Sequence, residues 1–81
     1  MDRYLVIIEE AKSNFSAYSP DLPGCVATGE IRNECEQNMH EAIQLYINGL
    51  EEDKEPVPVN HSFAEYMAVW FIVKIFLAIL K

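Results

Sequence analysis

Hydrophobic and polar positions alternate with a period of two early in the chain and with a period of 3.6 after it. From Arg3 to Glu9, the residues Tyr4, Val6 and Ile8 share one side while Leu5 and Ile7 share the other. This predicts a first strand with two apolar faces, either central in its sheet or covered on one face by another subunit. Glu10-Ala11-Lys12-Ser13 is polar and short, as a hairpin turn requires. Asn14 to Tyr18 alternates again, Phe15 and Ala17 against Asn14 and Ser16, and predicts a second strand. Cys25 to Thr28 predicts a third, ended by Gly29.

Between the second and third strands lies Tyr18-Ser19-Pro20-Asp21-Leu22-Pro23-Gly24-Cys25. Neither proline can donate a ladder hydrogen bond, so the arriving strand stops near Ser19. Gly24 permits backbone angles closed to other residues and lets the chain restart as a strand at Cys25.

From about Ile31 to Asp53 the pattern is helical. Cys35, Met39, Ala42, Ile43, Tyr46 and Leu50 form one stripe, and Gln37, His40, Glu41, Gln44, Asn48 and Glu51 lie opposite it. A helix of this length spans about 33 Å and can cross a whole sheet. Gly49 inside it disfavours the helix by roughly 1 kcal/mol against Ala, which a close approach to the sheet would rationalise. Pro56-Val57-Pro58 then forces an extended connection.

The last segment supports three readings. Tyr66 to Leu80 is almost wholly apolar, with Lys74 in the middle. A fourth strand starting near Ala64 or Glu65 fits the β-branched and aromatic content and is favoured for the first half. A helix capped by Ser62 also fits, though it would be apolar all round. A membrane span needs about 20 apolar residues, more than this run provides, and is not expected. From Ile75 onward an extended tail and a helix remain equally open. Residues 1–81 read as a single domain with 67–81 as an apolar C-terminal tail.

Charge narrows the function classes. The net charge is −7 at pH 7 and the calculated pI about 4.6, opposite to the basic face that nucleic acids demand. An acidic surface suits a basic partner. The first residues lack the basic start and long apolar run of an export signal, so a cytoplasmic location is expected. With two cysteines, both are expected to stay reduced, and the triplets at Asn14 and Asn60 are not expected to carry sugars.

No catalytic constellation emerges. Cys25, Cys35 and His40 fit no zinc spacing, and helical geometry points Cys35 and His40 apart. His61 falls in a loop. Glu9 and Glu10 read as a solvated hairpin tip, since the next two strands supply no further acid for a metal-dependent hydrolase. Glu51, Glu52, Asp53 and Glu55 read as a solvated helix end or a surface for a basic partner. No cofactor, metal or catalytic residue is expected.

The string from Tyr18 through Pro-Asp-Leu-Pro-Gly-Cys to Glu30, then Gln37 to Ile43, Tyr46 to Leu50 and Pro56-Val57-Pro58, resembles the HicB antitoxin family from about Arg3 to Tyr66. The resemblance implies an α+β fold in the order β-β-β-α-β, a reduced ribonuclease H-like domain with one long helix across a sheet. It also implies a role, binding a small basic RNA-cleaving toxin of the HicA type and masking its active site. Tyr18, Asp21, Leu22 and Pro23 are then candidates for the partner-facing surface, and Trp70, Phe71 and Ile72 for contact between copies in a homo-oligomer. Two departures stand out. Ile31 occupies the place of a Thr or Ser helix cap, and the tail is too apolar to be the DNA-binding module of longer members. Direct DNA binding is therefore not expected. The rival readings are an orphan oligomerisation module without a toxin, and an enzyme retaining ribonuclease activity, which the missing metal-binding carboxylates oppose.

Overall fold

The computed structural model describes residues 2–70, and its elements run β1 (Ile7–Glu10), β2 (Phe15–Tyr18), β3 (Val26–Gly29) and α1 (Arg32–Glu52). The sheet is antiparallel in the order β1-β2-β3. One cross-strand row is Ile8, Ala17 and Ala27; the next is Ile7, Tyr18 and Val26. Because side chains alternate along each strand, the first row faces the helix and the second faces away.

β1 differs from its expected span for a simple reason. Tyr18 is the last residue of β2 and pairs with Ile7, so Arg3 to Val6 run past the end of the sheet with no ladder partner. At the other end Glu10 still pairs with Phe15, and the Ala11 N–H donates to the Asn14 carbonyl at 2.8 Å. The hairpin connection is therefore Ala11 to Asn14, as short as expected and shifted by one residue. Among the described residues β2 is the central strand and β1 lies at an edge.

The corner between β2 and β3 consists of two consecutive turns. The Leu22 N–H donates to the Ser19 carbonyl, and the Cys25 N–H donates to the Leu22 carbonyl, both at 3.1 Å. In the second turn Pro23 and Gly24 occupy the central positions, and Gly24 has φ +82, the left-handed value a type II turn requires there. The corner also feeds the core. Leu22 and Cys25 are buried together with Ala17, Cys35 and Met39, and Tyr4, Val6, Ile8, Phe15, Ala42, Ile43 and Tyr46 pack around them.

Of the expected stripe of α1, Cys35 and Met39 are buried and Ala42, Ile43 and Tyr46 pack against the core together with Ile47, while Leu50 is not part of that cluster. The helix packs most extensively on β3, less on β2 and least on β1. Its start depends on Gly29: a Cβ there would lie 2.5 Å from the Cys35 nitrogen and 2.8 Å from the Cys35 Cα, so strand and helix meet backbone to backbone. Gly49 makes no such approach, since nothing lies within 4 Å of a Cβ built on it. Ile31 is the N-cap, extended at φ −124 and ψ 160, with no side-chain cap hydrogen bond. At the other end the Glu55 N–H donates to the Leu50 carbonyl and the Lys54 N–H to Glu51, a Schellman motif with Lys54 in the left-handed conformation at φ 56.

After the helix the chain passes beside the N-terminus, where the Tyr4 hydroxyl donates to the Pro58 carbonyl at 2.7 Å. Burial raises the Tyr4 pKa above its ordinary 10.0, with the nearby Asp2 carboxylate adding to it. The fourth strand expected from Ala64 or Glu65 is not formed over 64–70, nor is a helix capped by Ser62. A strand exists only beside a partner strand, and none among the described residues lies along this segment. Phe63 is 92% exposed, Trp70 85%, Met67 81% and Val69 78%. Phe71, Ile72 and the choice of structure from Ile75 onward lie outside the described residues.

Candidate functional site: the corner and the open sheet face

With α1 covering one face of the sheet, the other face is open. At its corner end Ile7, Tyr18 and Val26 stand side by side across the three strands. Tyr18 is 40% exposed and Val26 64%. An aromatic between two β-branched residues is a compact apolar contact surface, and the Tyr18 hydroxyl adds one polar handle. Pro20 and Pro23 are exposed at the adjoining corner. Of the four partner-facing candidates, Tyr18 and Pro23 are accessible.

Leu22 is not accessible: at 1% exposure it is a core residue that anchors the corner from within. Asp21 has a role the sequence did not reveal. Its Oδ2 accepts the N–H of His61 at 2.9 Å and that of Ser62 at 3.1 Å, while Oδ1 accepts the Ser62 hydroxyl at 3.2 Å. These bonds hold the Asp21 carboxyl below its ordinary 3.8, the His61 N–H contributing most. The corner therefore clasps the chain forty residues downstream. Ser62, read as a possible helix cap, is a donor to this clasp instead. Ser19, buried beside it, has an unpartnered hydroxyl.

Other candidate chemistry stays apart. Cys25 and Cys35 are free and buried, and burial raises the Cys25 thiol above its ordinary 9.0. No group of three His, Cys, Asp or Glu among the described residues is placed to hold a metal ion. No helix among them is long and apolar enough to cross a membrane. A second feature is a groove of about 720 Å³ where α1 diverges from β1, floored by Val6, Ile8, Ile43 and Ile47 and rimmed by Arg32, Glu36 and His40.

The fold and these surfaces define a small α+β module built around contact faces. Comparison with known proteins gives it a family. Residues 4–81 match the family described as HicB_like antitoxin of bacterial toxin-antitoxin system, and the chain belongs to that family. A UPF0150 protein of Synechocystis is 41% identical over 67 residues, covering 82% of this chain and 85% of its own. A UPF0150 protein of Thermoplasma acidophilum is 35% identical, covering 74% of this chain and 88% of its own. An uncharacterized 14.9 kDa protein of Haemophilus phage HP1 is 33% identical over 79% of this chain, which spans only 48% of that relative's length. No solved structure matches the chain.

Proposed function

We propose that this protein is an antitoxin that neutralises a small basic RNA-cleaving toxin of the HicA type by binding it, without catalysis of its own. Family membership over residues 4–81 carries the reading. The net charge of −7 favours a basic partner, and the open face with Ile7, Tyr18 and Val26 offers the apolar centre such a contact needs. Tyr18 and Pro23 touch the toxin, while Asp21 and Leu22 hold the corner in shape. The acidic helix end around Glu51 and Glu52 steers the encounter. The protein acts in the cytoplasm and does not bind DNA directly. It works as a homo-oligomer in which the apolar residues beyond Ser62, Trp70 among them, meet another copy; there the segment completes the fourth strand of a reduced ribonuclease H-like fold.

Co-expression with a small basic protein encoded beside it tests the reading. The two are expected to co-purify, and the complex to lose the RNA cleavage of the free toxin. Tyr18→Asp places a charge in the proposed contact and is expected to weaken binding at least about tenfold. A neighbouring toxin that neither binds nor is inhibited would overturn it in favour of an orphan oligomerisation module.

A further inference from the structure

Two features lack partners among the described residues, and each has what the other needs. The first is the outer edge of β1. Its backbone groups on that side bond to no strand among the described residues, the overhang from Arg3 to Val6 has no ladder neighbour, and the apolar groove beside α1 opens along the same edge. The second is the arm from Phe63 to Trp70, rich in strand-forming side chains yet exposed along its whole length. On one side of such a strand lie Phe63, Met67 and Val69 with Glu65; on the other Tyr66 and Trp70 alternate with Ala64 and Ala68.

The arm does not reach β1 of its own chain. Residues Val57 to Asn60 pass beside Asp2, Arg3 and Tyr4, where a strand alongside β1 could begin. The chain continues past that point to the corner, where Asp21 fastens His61 and Ser62. From Phe63 to Trp70 the chain departs from the clasp into solvent.

We propose that the arm Phe63–Trp70 of each chain lies along the free β1 edge of a second copy, covering the groove between β1 and α1, in a reciprocal two-fold exchange. The second copy is the fitting occupant because one chain supplies both halves of the contact, so a closed pair leaves neither unsatisfied. Charge agrees: Glu65 is the arm's one charged residue, and the overhang carries Arg3, next to Asp2. Size agrees as well. Tyr66 and Trp70 share one side of the arm, and at roughly 150–250 Å² each two arms with the surfaces they cover reach the roughly 1,200 Å² of a stable interface. This deepens the self-association reading given above and is independent of the toxin.

The test uses the full chain. Sedimentation gives the mass, and isotope-filtered NMR on a mixture of ¹⁵N-labelled and ¹³C-labelled protein reports contacts between copies. A dimer or a multiple of it is expected, with intermolecular contacts joining residues 63–70 to 3–8. An oligomer lacking those contacts overturns the exchange while leaving self-association standing. A monomer overturns both, including one whose arm signals shift only on adding toxin or lipid vesicles. Arm contacts to β1 confined within one labelled chain overturn the exchange too. Met67→Pro removes a backbone donor from a segment whose side chains stand exposed, so the body stays folded by circular dichroism. The pair is expected to dissociate about a hundredfold more readily, and unchanged association would count against the exchange.

Discussion

Gly29 and Asp21 are the residues on which most of the architecture turns. At Gly29 an added methyl would meet the backbone of Cys35, which cannot rotate aside as a side chain can. Gly29→Ala is accordingly expected to lower stability by about 2–3 kcal/mol, read as a reduced urea midpoint at unchanged slope. Asp21 acts differently, since its three accepted hydrogen bonds hold only the downstream segment. Its pKa is lowered on folding, so its contribution is present above the ordinary value of 3.8 and fades as the pH falls below it. Hydrogen exchange at His61 and Ser62 should therefore accelerate on acidification, and at neutral pH in Asp21→Ala, while amides of β2 keep their protection. Slow exchange at Ser62 in that variant would show that something else holds the arm.

At the scale of elements, the helix is the best-formed part and also has three local weaknesses. Its N-cap Ile31 leaves the first N–H groups without a side-chain acceptor, although Glu34 reaches back to the Glu30 N–H at 3.3 Å. Ile31→Ser is expected to stabilise by about 1 kcal/mol. Gly49→Ala fills open space and should add about 0.5–1 kcal/mol, as should Lys54→Gly, which relieves a left-handed lysine. Thermal denaturation of the three variants checks these signs. The helix and the three strands were legible because their periodicities survive in the folded state. What was not legible follows from pairing. The length of β1 depends on where β2 turns away, which Pro20 fixes from the other side of the hairpin. The strand expected at Ala64 has the right composition but no neighbour among the described residues. Composition records a preference for a ladder and says nothing of whose ladder it joins. Nor does any local pattern connect Asp21 with Ser62, because a carboxylate in a turn and a serine in a loop are each ordinary alone.

The whole molecule carries two distinct apolar surfaces, the row Ile7-Tyr18-Val26 on the open sheet face and the arm with its groove. They lie on different parts of the fold, so a toxin on the first and a second copy on the second do not exclude each other. The acidic charge is spread over the hairpin, the helix and the loop after it. Association with a basic partner should then slow as salt rises. Substitution of Tyr18 should affect toxin binding and leave the mass of the free protein unchanged.

The small core has a consequence for how the protein persists at low abundance. Among the described residues only Ala17, Leu22, Cys25, Cys35 and Met39 are both apolar and buried, and a chain of this size is in general only marginally stable alone. Much of its stability must then come by mass action from whatever it associates with. The melting temperature is expected to rise with protein concentration across the micromolar range, and a midpoint that does not move on hundredfold dilution would mean that the chain is stable without association. Dilution would then act as a denaturant, and the folded fraction would report how many copies are present.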